Sequence, residues 1–404
     1  MRTPYGHLTY CTNIHAGESW ADHFAALRQN IPVIKKRISP GASLGIGLRL
    51  SHQASLELAK PEVLQNFKQW LVAEDCYVFT MNGFPYGGFH RTKVKDQVHA
   101  PDWTTTDRVS YTIRLFNILN ELLPSGMEGG ISTSPLSYKY WWAKDQQQGV
   151  MESTTKNVLQ VIEHLIKIRN TTGKHLHLDI EPEPDGSLGN GPEFFHWYEQ
   201  YLLPIGKEYL AKQLGYTEEQ SVEAIRDHLQ LCYDVCHFAV GYEDHAAVVQ
   251  KLRESKIKVG KIQISAALKA AMPAEQSKRE PVIQAFQHFN ESTYLHQVVA
   301  RQKDGSFRQY PDLPEALADA ANPSTTEWRS HFHVPLFIND YGLLQSTQSD
   351  IKDVLTLHDD KRFTSHLEVE TYTWEVLPDA MKLPQSESII REMEWVINFL
   401  NTKQ

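Results

Sequence analysis

His175-Leu176-His177-Leu178-Asp179-Ile180-Glu181-Pro182-Glu183-Pro184 alternates polar and apolar side chains for seven residues and then stops at a proline. Alternation sends the two sets to opposite faces of a strand. Proline removes a backbone donor and ends the strand. Lys261-Ile262-Gln263-Ile264-Ser265 and His366-Leu367-Glu368-Val369-Glu370 read the same way. An antiparallel sheet with one wet face alternates too. Here, however, helical patterns lie between the strands. In a parallel barrel the Leu, Ile and Val face would meet those helices and the polar face would point inward. Buried carboxylates without partners are costly, and a bound cation would remove that cost.

Working outward, the predicted strands are 7–15, 43–50, 76–81, 129–133, 175–181, 229–234, 261–265 and 366–370. Predicted helices cover 19–30, 61–72, 107–123, 154–169, 193–214, 218–228, 244–254 and 386–401. Eight alternating strand–helix units predict a single (β/α)₈ barrel over residues 1–404. The rhythm breaks between Ser265 and His366, where about 100 residues stand in place of one helix. There, Lys303-Asp304-Gly305-Ser306 reads as a hairpin turn. Residues 266–330 are therefore expected to form an inserted, lid-like segment over the mouth.

The chain has 404 residues, 41% of them hydrophobic, and a formal charge of −9. That charge argues against a nucleic-acid partner. No run reaches the ~18 apolar residues that cross a bilayer. The N-terminus lacks an apolar leader stretch, so a cytoplasmic location is expected. Four cysteines are too few for a disulfide scaffold. There is no P-loop, dinucleotide fingerprint or serine-hydrolase elbow.

Carboxylates and histidines at strand ends are the candidate chemistry. Glu181 is the best-marked metal ligand, with Glu183 as a neighbouring base or substrate contact. Asp234 and His237 stand three apart in Cys232-Tyr233-Asp234-Val235-Cys236-His237 and can face one ion. Glu370 is the outer of two carboxylates on the last strand. His331 and His333 alternate on an extended run. Asn13 and His15 lie on one face of the first strand, and Asn82 and His90 flank a glycine- and aromatic-rich loop. Mixed carboxylate and imidazole donors suit zinc or manganese.

These residues resemble the xylose-isomerase-like barrel superfamily of sugar isomerases, epimerases and endonuclease IV enzymes. Ile180-Glu181-Pro182-Glu183-Pro184 is similar to the strand-five Ile-Glu-Pro-Lys-Pro of xylose isomerases, whose Glu binds metal. Cys232-Tyr233-Asp234-Val235-Cys236-His237 resembles the Cys-x-Asp-Thr-Cys-His of endonuclease IV, in which Asp and His are ligands. His331 and His333 resemble that enzyme's Asp-x-His pair, and Glu370 falls where the strand-eight Glu ligand stands. Gln263 occupies the place of the strand-seven His ligand; either it binds through its amide oxygen or His333 or His296 substitutes.

More closely, the chain resembles the EboE family of metabolite traffic proteins from bacterial ebo clusters. The residues that carry this are Tyr10 to Trp20, Phe84-Pro85-Tyr86-Gly87, Tyr294-Leu295-His296-Gln297, His333-Val334-Pro335-Leu336 and Glu370-Thr371-Tyr372-Thr373-Trp374. The resemblance implies a small-molecule metabolite as partner, alongside other proteins of the same cluster. A homodimer is a further expectation. Three functions compete. The first is a metal-dependent isomerase or epimerase on a small polyol or carbonyl compound, with Glu181, Glu370 and His237 catalytic. The second is a non-catalytic metabolite-binding protein. The third is an endonuclease IV-like phosphodiesterase.

Overall fold

A computed structural model describes residues 1–90, 93–375, 377, 382 and 384–402. Eight parallel strands form the barrel: β1 (Gly6–Tyr10), β2 (Leu44–Arg49), β3 (Cys76–Asn82), β4 (Gly129–Thr133), β5 (Leu176–Ile180), β6 (Leu229–Asp234), β7 (Val259–Ile264) and β8 (His366–Val369). They pair in chain order from β2 to β8, and β8 returns to β1. The β1–β2 seam closes differently. Thr9 Oγ1 donates to Gly45 O at 2.8 Å and accepts from Gly47 N at 3.0 Å. One parallel bridge, Cys11 to Gly47, finishes the seam. A side chain thus stands in for ladder bonds where two strands splay apart. No helix among the described residues is long and apolar enough to cross a membrane.

The apolar set of each strand packs on the helices: Leu176, Leu178, Ile180, Ile262, Ile264, Leu367 and Val369 are buried in one continuous core. The polar set fills the barrel in two layers. In the lower layer, Lys261 Nζ meets Glu368 Oε2 at 2.6 Å, with both side chains fully buried. His177 Nδ1 lies 2.6 Å from Asp179 Oδ1. This corrects the sequence expectation that a cation would neutralise the inward carboxylates as a group. Glu368 and Asp179 have protein partners, and only the carboxylates at the strand ends want an ion.

Glycines make room for this layer. A Cβ on Gly260 would lie 1.9 Å from Asp179 Oδ1, and one on Gly47 would lie 2.0 Å from Glu368 Oε1. Side chains at these points would occupy the space of the ion pairs.

Several boundaries differ from expectation. The first strand ends at Tyr10 and turns into a short 3₁₀ segment, Thr12–Ile14, so Asn13 and His15 do not share a strand face. The first helix, Trp20–Ile38, starts at the Ser19 cap as expected but runs past Asn30 with Pro32 inside it. The 193–214 helix is broken by a π-helical turn at Tyr198–Leu202. Helices His52–Leu58 and Gln348–Lys361 were not foreseen.

The insertion builds its own antiparallel sheet. Its strands are Phe307–Tyr310, Val298–Gln302, Thr325–Ser330, Leu268–Ala271, Leu344–Ser346 and Asp340–Tyr341, in that spatial order. The hairpin expected at Asp304-Gly305 is present, with Gly305 at φ 84°. The sheet runs on to Ser346, past residue 330, because a second tight turn at Gly342 (φ 75°) pairs back onto Leu268–Ala271.

Candidate metal centre

Seven of the expected acidic and imidazole groups converge at the mouth, Glu181, Glu183, Asp234, His237, His331, His333 and Glu370. Glu181 follows the end of β5, its backbone N bonded to Thr133 O at 3.0 Å. Glu370 follows β8 and is bonded to Ile264 O at 3.1 Å. Asp234 ends β6 and caps the short helix Val235–Val240, accepting from His237 N at 3.2 Å. The cap fixes the Asp-x-x-His spacing: His237 is the residue whose amide the cap needs. His331 and His333 come from the insertion. After the strand Thr325–Ser330, His331 N bonds to Gln297 O within the insertion (2.8 Å), and Val334 N bonds to Ala266 O just past β7 (3.0 Å), which lays the chain back on the barrel.

The imidazoles are pinned by their Nδ1 atoms. His237 Nδ1 donates to Pro182 O at 2.9 Å. His333 Nδ1 donates to Glu370 O at 3.0 Å. His331 Nδ1 donates to Gln297 Oε1 at 2.7 Å. The Gln297 orientation is fixed in turn, because its Nε2 donates to Pro184 O at 2.9 Å. All three rings therefore carry the proton on Nδ1 and present a lone pair on Nε2. His237 Nε2 and His331 Nε2 face each other at 3.3 Å, and His333 Nε2 is buried without a hydrogen-bond partner. Lone pairs so placed repel unless a cation stands among them. Imidazoles held by an Nδ1–H to carbonyl bond with Nε2 free are arranged as metal ligands are.

The oxygens complete the set. Atoms of Asp234, His237 and His333 lie within 4.8 Å of one another, as do those of Glu181, Asp234 and Glu370, and those of Glu183, His237 and His331. Asp234 Oδ1 is taken by Ser265 Oγ at 2.6 Å, while Oδ2 is buried and unpartnered. Burial, then Glu370 and Asp234, push Glu181 well above the usual carboxylate range. Burial, then Asp234, push Glu370 up as well. Glu183 is raised to about 8, chiefly by burial. Burial lowers His237 and His331, and brings His333 down to about 4. Those rings are neutral at pH 7, the state that binds metal. Carboxylates raised by mutual repulsion and burial are the groups a divalent ion would return to the ionised form.

Other expected residues divide. Asn13 Nδ2 and Asn82 Nδ2 both donate to Glu370 Oε1, at 2.8 and 2.9 Å. His90 Nε2 donates to Asn13 O at 2.5 Å and so backs the first loop rather than lining the cavity. His15 is turned to Tyr10 Oη (2.9 Å) and Gln385 Oε1 (2.8 Å), away from the mouth. His296 is held by Glu291 at 2.6 Å and by His331 O at 2.8 Å, and stacks on Phe332. Gln263 Oε1 accepts from the Cys232 thiol at 2.5 Å, and Gln263 does not line the cavity. From this part of the chain, Ser265 holds Asp234 and His333 supplies a nitrogen. Sequence reading missed Ser265, which is the next inward residue after Gln263 in the alternation. It also missed Gln297, which orients His331, and His99, whose Nε2 is 3.6 Å from Glu183.

The enclosed space over these groups is small, about 50 Å³, and it opens outward into a mouth of about 500 Å³ that includes solvent. Its outer wall is mostly carbon, from Phe84, Phe89, Val94 and Leu295 and the rings of Tyr294 and Tyr372.

No protein-family model matches the chain, and no curated protein does. Solved structures do. A xylose isomerase domain protein from Planctomyces limnophilus aligns with 100% of this chain and 99% of its own at 11% identity and TM-score 0.51. An L-ribulose 3-epimerase covers 98% of this chain and 95% of its own at 8% identity and TM-score 0.49. The IolI protein, solved with a zinc atom bound, covers 98% of each chain at 11% identity and TM-score 0.47. At such identities the likeness is one of fold, a (β/α)₈ barrel shared with that xylose isomerase domain protein.

Proposed function

We propose that this chain is a divalent-metal-dependent isomerase or epimerase acting on a small polyol or carbonyl metabolite. The observation that carries this reading is the convergence of three Nδ1-pinned imidazoles on a group of buried carboxylates. Asp234, His237, His333, Glu181 and Glu370 would hold the metal. When bound, such a metal, zinc or manganese by donor set, would lower the pKa of the proton on the carbon next to a substrate carbonyl.

Glu181 and Glu370 approach from β5 and β8. With both carboxylates ionised beside the ion, one would accept the substrate's proton and the other could deliver a proton back to the product. Asn13 and Asn82 hold Glu370 in place by two amide hydrogen bonds. Glu183 and His331 would orient substrate. The inserted sheet supports a covering role, since it delivers His331 and Tyr294 to the mouth. The resemblance to EboE supports a substrate drawn from a secondary-metabolite cluster.

A second reading, metal-dependent phosphodiester hydrolysis, is favoured by one observation: Glu183, His237 and His331 form a further donor triple beside the first. Metal stoichiometry separates the two. Purified protein is expected to hold one tightly bound divalent ion per chain, and Glu181→Gln to lose at least tenfold in metal affinity. It is also expected to exchange solvent deuterium into the carbon beside a hydroxy-ketone carbonyl. Three ions per chain would favour hydrolysis. Metal content unchanged in Glu181→Gln, or none retained by the wild type, would sink the assignment.

A further inference from the structure

The cavity has two unlike ends. Its floor is the donor cluster. Its wall is built from aromatic and aliphatic side chains, with two tyrosine hydroxyls, of which Tyr294 Oη lies 3.2 Å from His90 Nδ1; most other polar groups near that wall are already committed. Asn82 donates to Glu370 and accepts from Phe84 N at 3.0 Å. Asn13 spends its amide N–H on Glu370, leaving only Oδ1 without a partner. Lys95 is the only ammonium or guanidinium group lining the cavity among the described residues. Its Nζ is paired with Asp312 at 2.5 Å and bonded to Glu291 O at 3.3 Å.

The wall itself is rigidly built. Phe89, Tyr294 and Tyr372 pack edge-to-face or tilted on one another, with centroids 5.0 to 5.2 Å apart. Tyr372 also packs on His333, at 4.6 Å. Two buried arginines clamp the loop that carries Phe84 and Phe89. Arg108 Nη1 donates to Gly83 O and Phe84 O, at 2.8 and 2.9 Å. Arg49 Nη2 donates to Gly87 O at 2.5 Å. Side chains and backbone held this way keep the carbon face toward the cavity.

A sugar bears a hydroxyl on nearly every carbon, and each one buried without a partner weakens binding. A phosphate would need cations or a row of backbone N–H groups. Among the described residues the wall offers one cation, Lys95, already paired with Asp312, and the backbone N–H groups of Phe84, Phe89, Val94, Lys95 and Tyr294 are already bonded within the chain. Resting on the metal-dependent reading above, we propose that the substrate is amphipathic. At one end it carries two adjacent oxygens that reach the metal ligands. At the other it carries an unphosphorylated apolar or aryl body that seats on Phe84, Phe89, Val94, Tyr294, Leu295 and Tyr372. The body displaces solvent from carbon, while the oxygens set its orientation.

Three probes that share one chelating unit test this. They are 2-hydroxyacetophenone, dihydroxyacetone and dihydroxyacetone phosphate, titrated calorimetrically into protein loaded with Mn²⁺. 2-Hydroxyacetophenone is expected to bind at least tenfold more tightly than dihydroxyacetone, and the phosphate no more tightly than dihydroxyacetone. Phe89→Ala is expected to shrink the aryl preference at least threefold, and Phe89→Leu, which keeps a filled wall, to shrink it less. Equal affinities, a preference for the phosphate, or no binding of any probe overturns the proposal. An aryl preference that survives removal of the metal by EDTA would instead overturn the metal-dependent reading and leave the apolar seat standing. Metal-dependent binding of dihydroxyacetone as tight as that of the aryl ketone would do the reverse.

Discussion

His237 sits in the first turn of a helix only six residues long, and three constraints meet on it. Its backbone N–H is the one that the Asp234 cap requires, its Nδ1 is spoken for by Pro182 O, and its Nε2 looks at His331 and Asp234. His333 is simpler, with one pinned nitrogen and one buried nitrogen that has no partner. His333→Ala should therefore lower metal affinity by about 10- to 100-fold, read by chelator competition, with the melting profile of the metal-free protein little changed. Equal metal affinity in wild type and variant would remove His333 from the ligand set. A different residue-scale prediction concerns Glu392, which lies outside the cavity lining. Its Oε1 accepts from Thr371 Oγ1 at 2.7 Å and Leu336 N at 3.1 Å, and burial raises its carboxyl to about 8. The unfolded chain ionises this group near 4.5, so the folded state holds the extra proton between pH 4.5 and 8, and stability falls as pH rises through that window. Glu392→Gln keeps the acceptor and removes the titration. It should be more stable than wild type at pH 8, by on the order of 2 kcal/mol, and the gap should close toward pH 4.5. Parallel melting curves for the two proteins across that range would refute the assignment.

At the scale of the elements, the barrel strands explain why so many charges can be buried without metal. Burial works against the Lys261 charge, but Glu368 outweighs it and raises its pKa. Removing one member strands the other: Lys261→Met should cost about 3–5 kcal/mol, whereas Lys261→Met combined with Glu368→Leu should recover most of that loss. Chemical denaturation of the single and double variants reads this out, and additive losses would contradict the pairing. The strand pattern itself was legible. Strict alternation in β5, β7 and β8 placed Asp179, Lys261 and Glu368 inside and the aliphatic residues outside, and the structure has them so. What alternation did not reveal was which inward residues pair with each other. Lys261 and Glu368 lie about 100 positions apart in the chain, and their meeting depends on β8 lying beside β7. The end of β1 at Tyr10 was missed for a related reason. The run from Cys11 to His15 has strand-like composition, but Cys11 N bonds to Val369 O and the chain then turns so that Asn13 can reach Glu370.

For the whole molecule, the donor set draws on β5, β6 and β8 and on the insertion, so a metal would tie four distant parts of the chain together. Binding to the folded state alone stabilises it by RT ln(1 + [L]/Kd), about 4 kcal/mol at a thousandfold excess over Kd. Treatment with EDTA should lower the melting temperature by several degrees, and restoring zinc or manganese should return it. A melting temperature indifferent to both treatments would argue that the cluster is not a metal site.

The sequence by itself determined the barrel, since eight alternations of strand and helix carry their own periodicities. It also marked Glu181, Asp234, His237, His331, His333 and Glu370, because acids and imidazoles at strand ends or on extended runs stand out locally. Only the tertiary structure decided how those residues divide the work. The direction of an imidazole lone pair depends on which carbonyl its other nitrogen meets, and Pro182 O, Glu370 O and Gln297 Oε1 come from other segments of the chain. The same dependence turned His296 and Gln263 away from the site: Glu291 and Cys232 claim them first, and a hydrogen bond already made in the folded chain leaves that atom unavailable to a ligand.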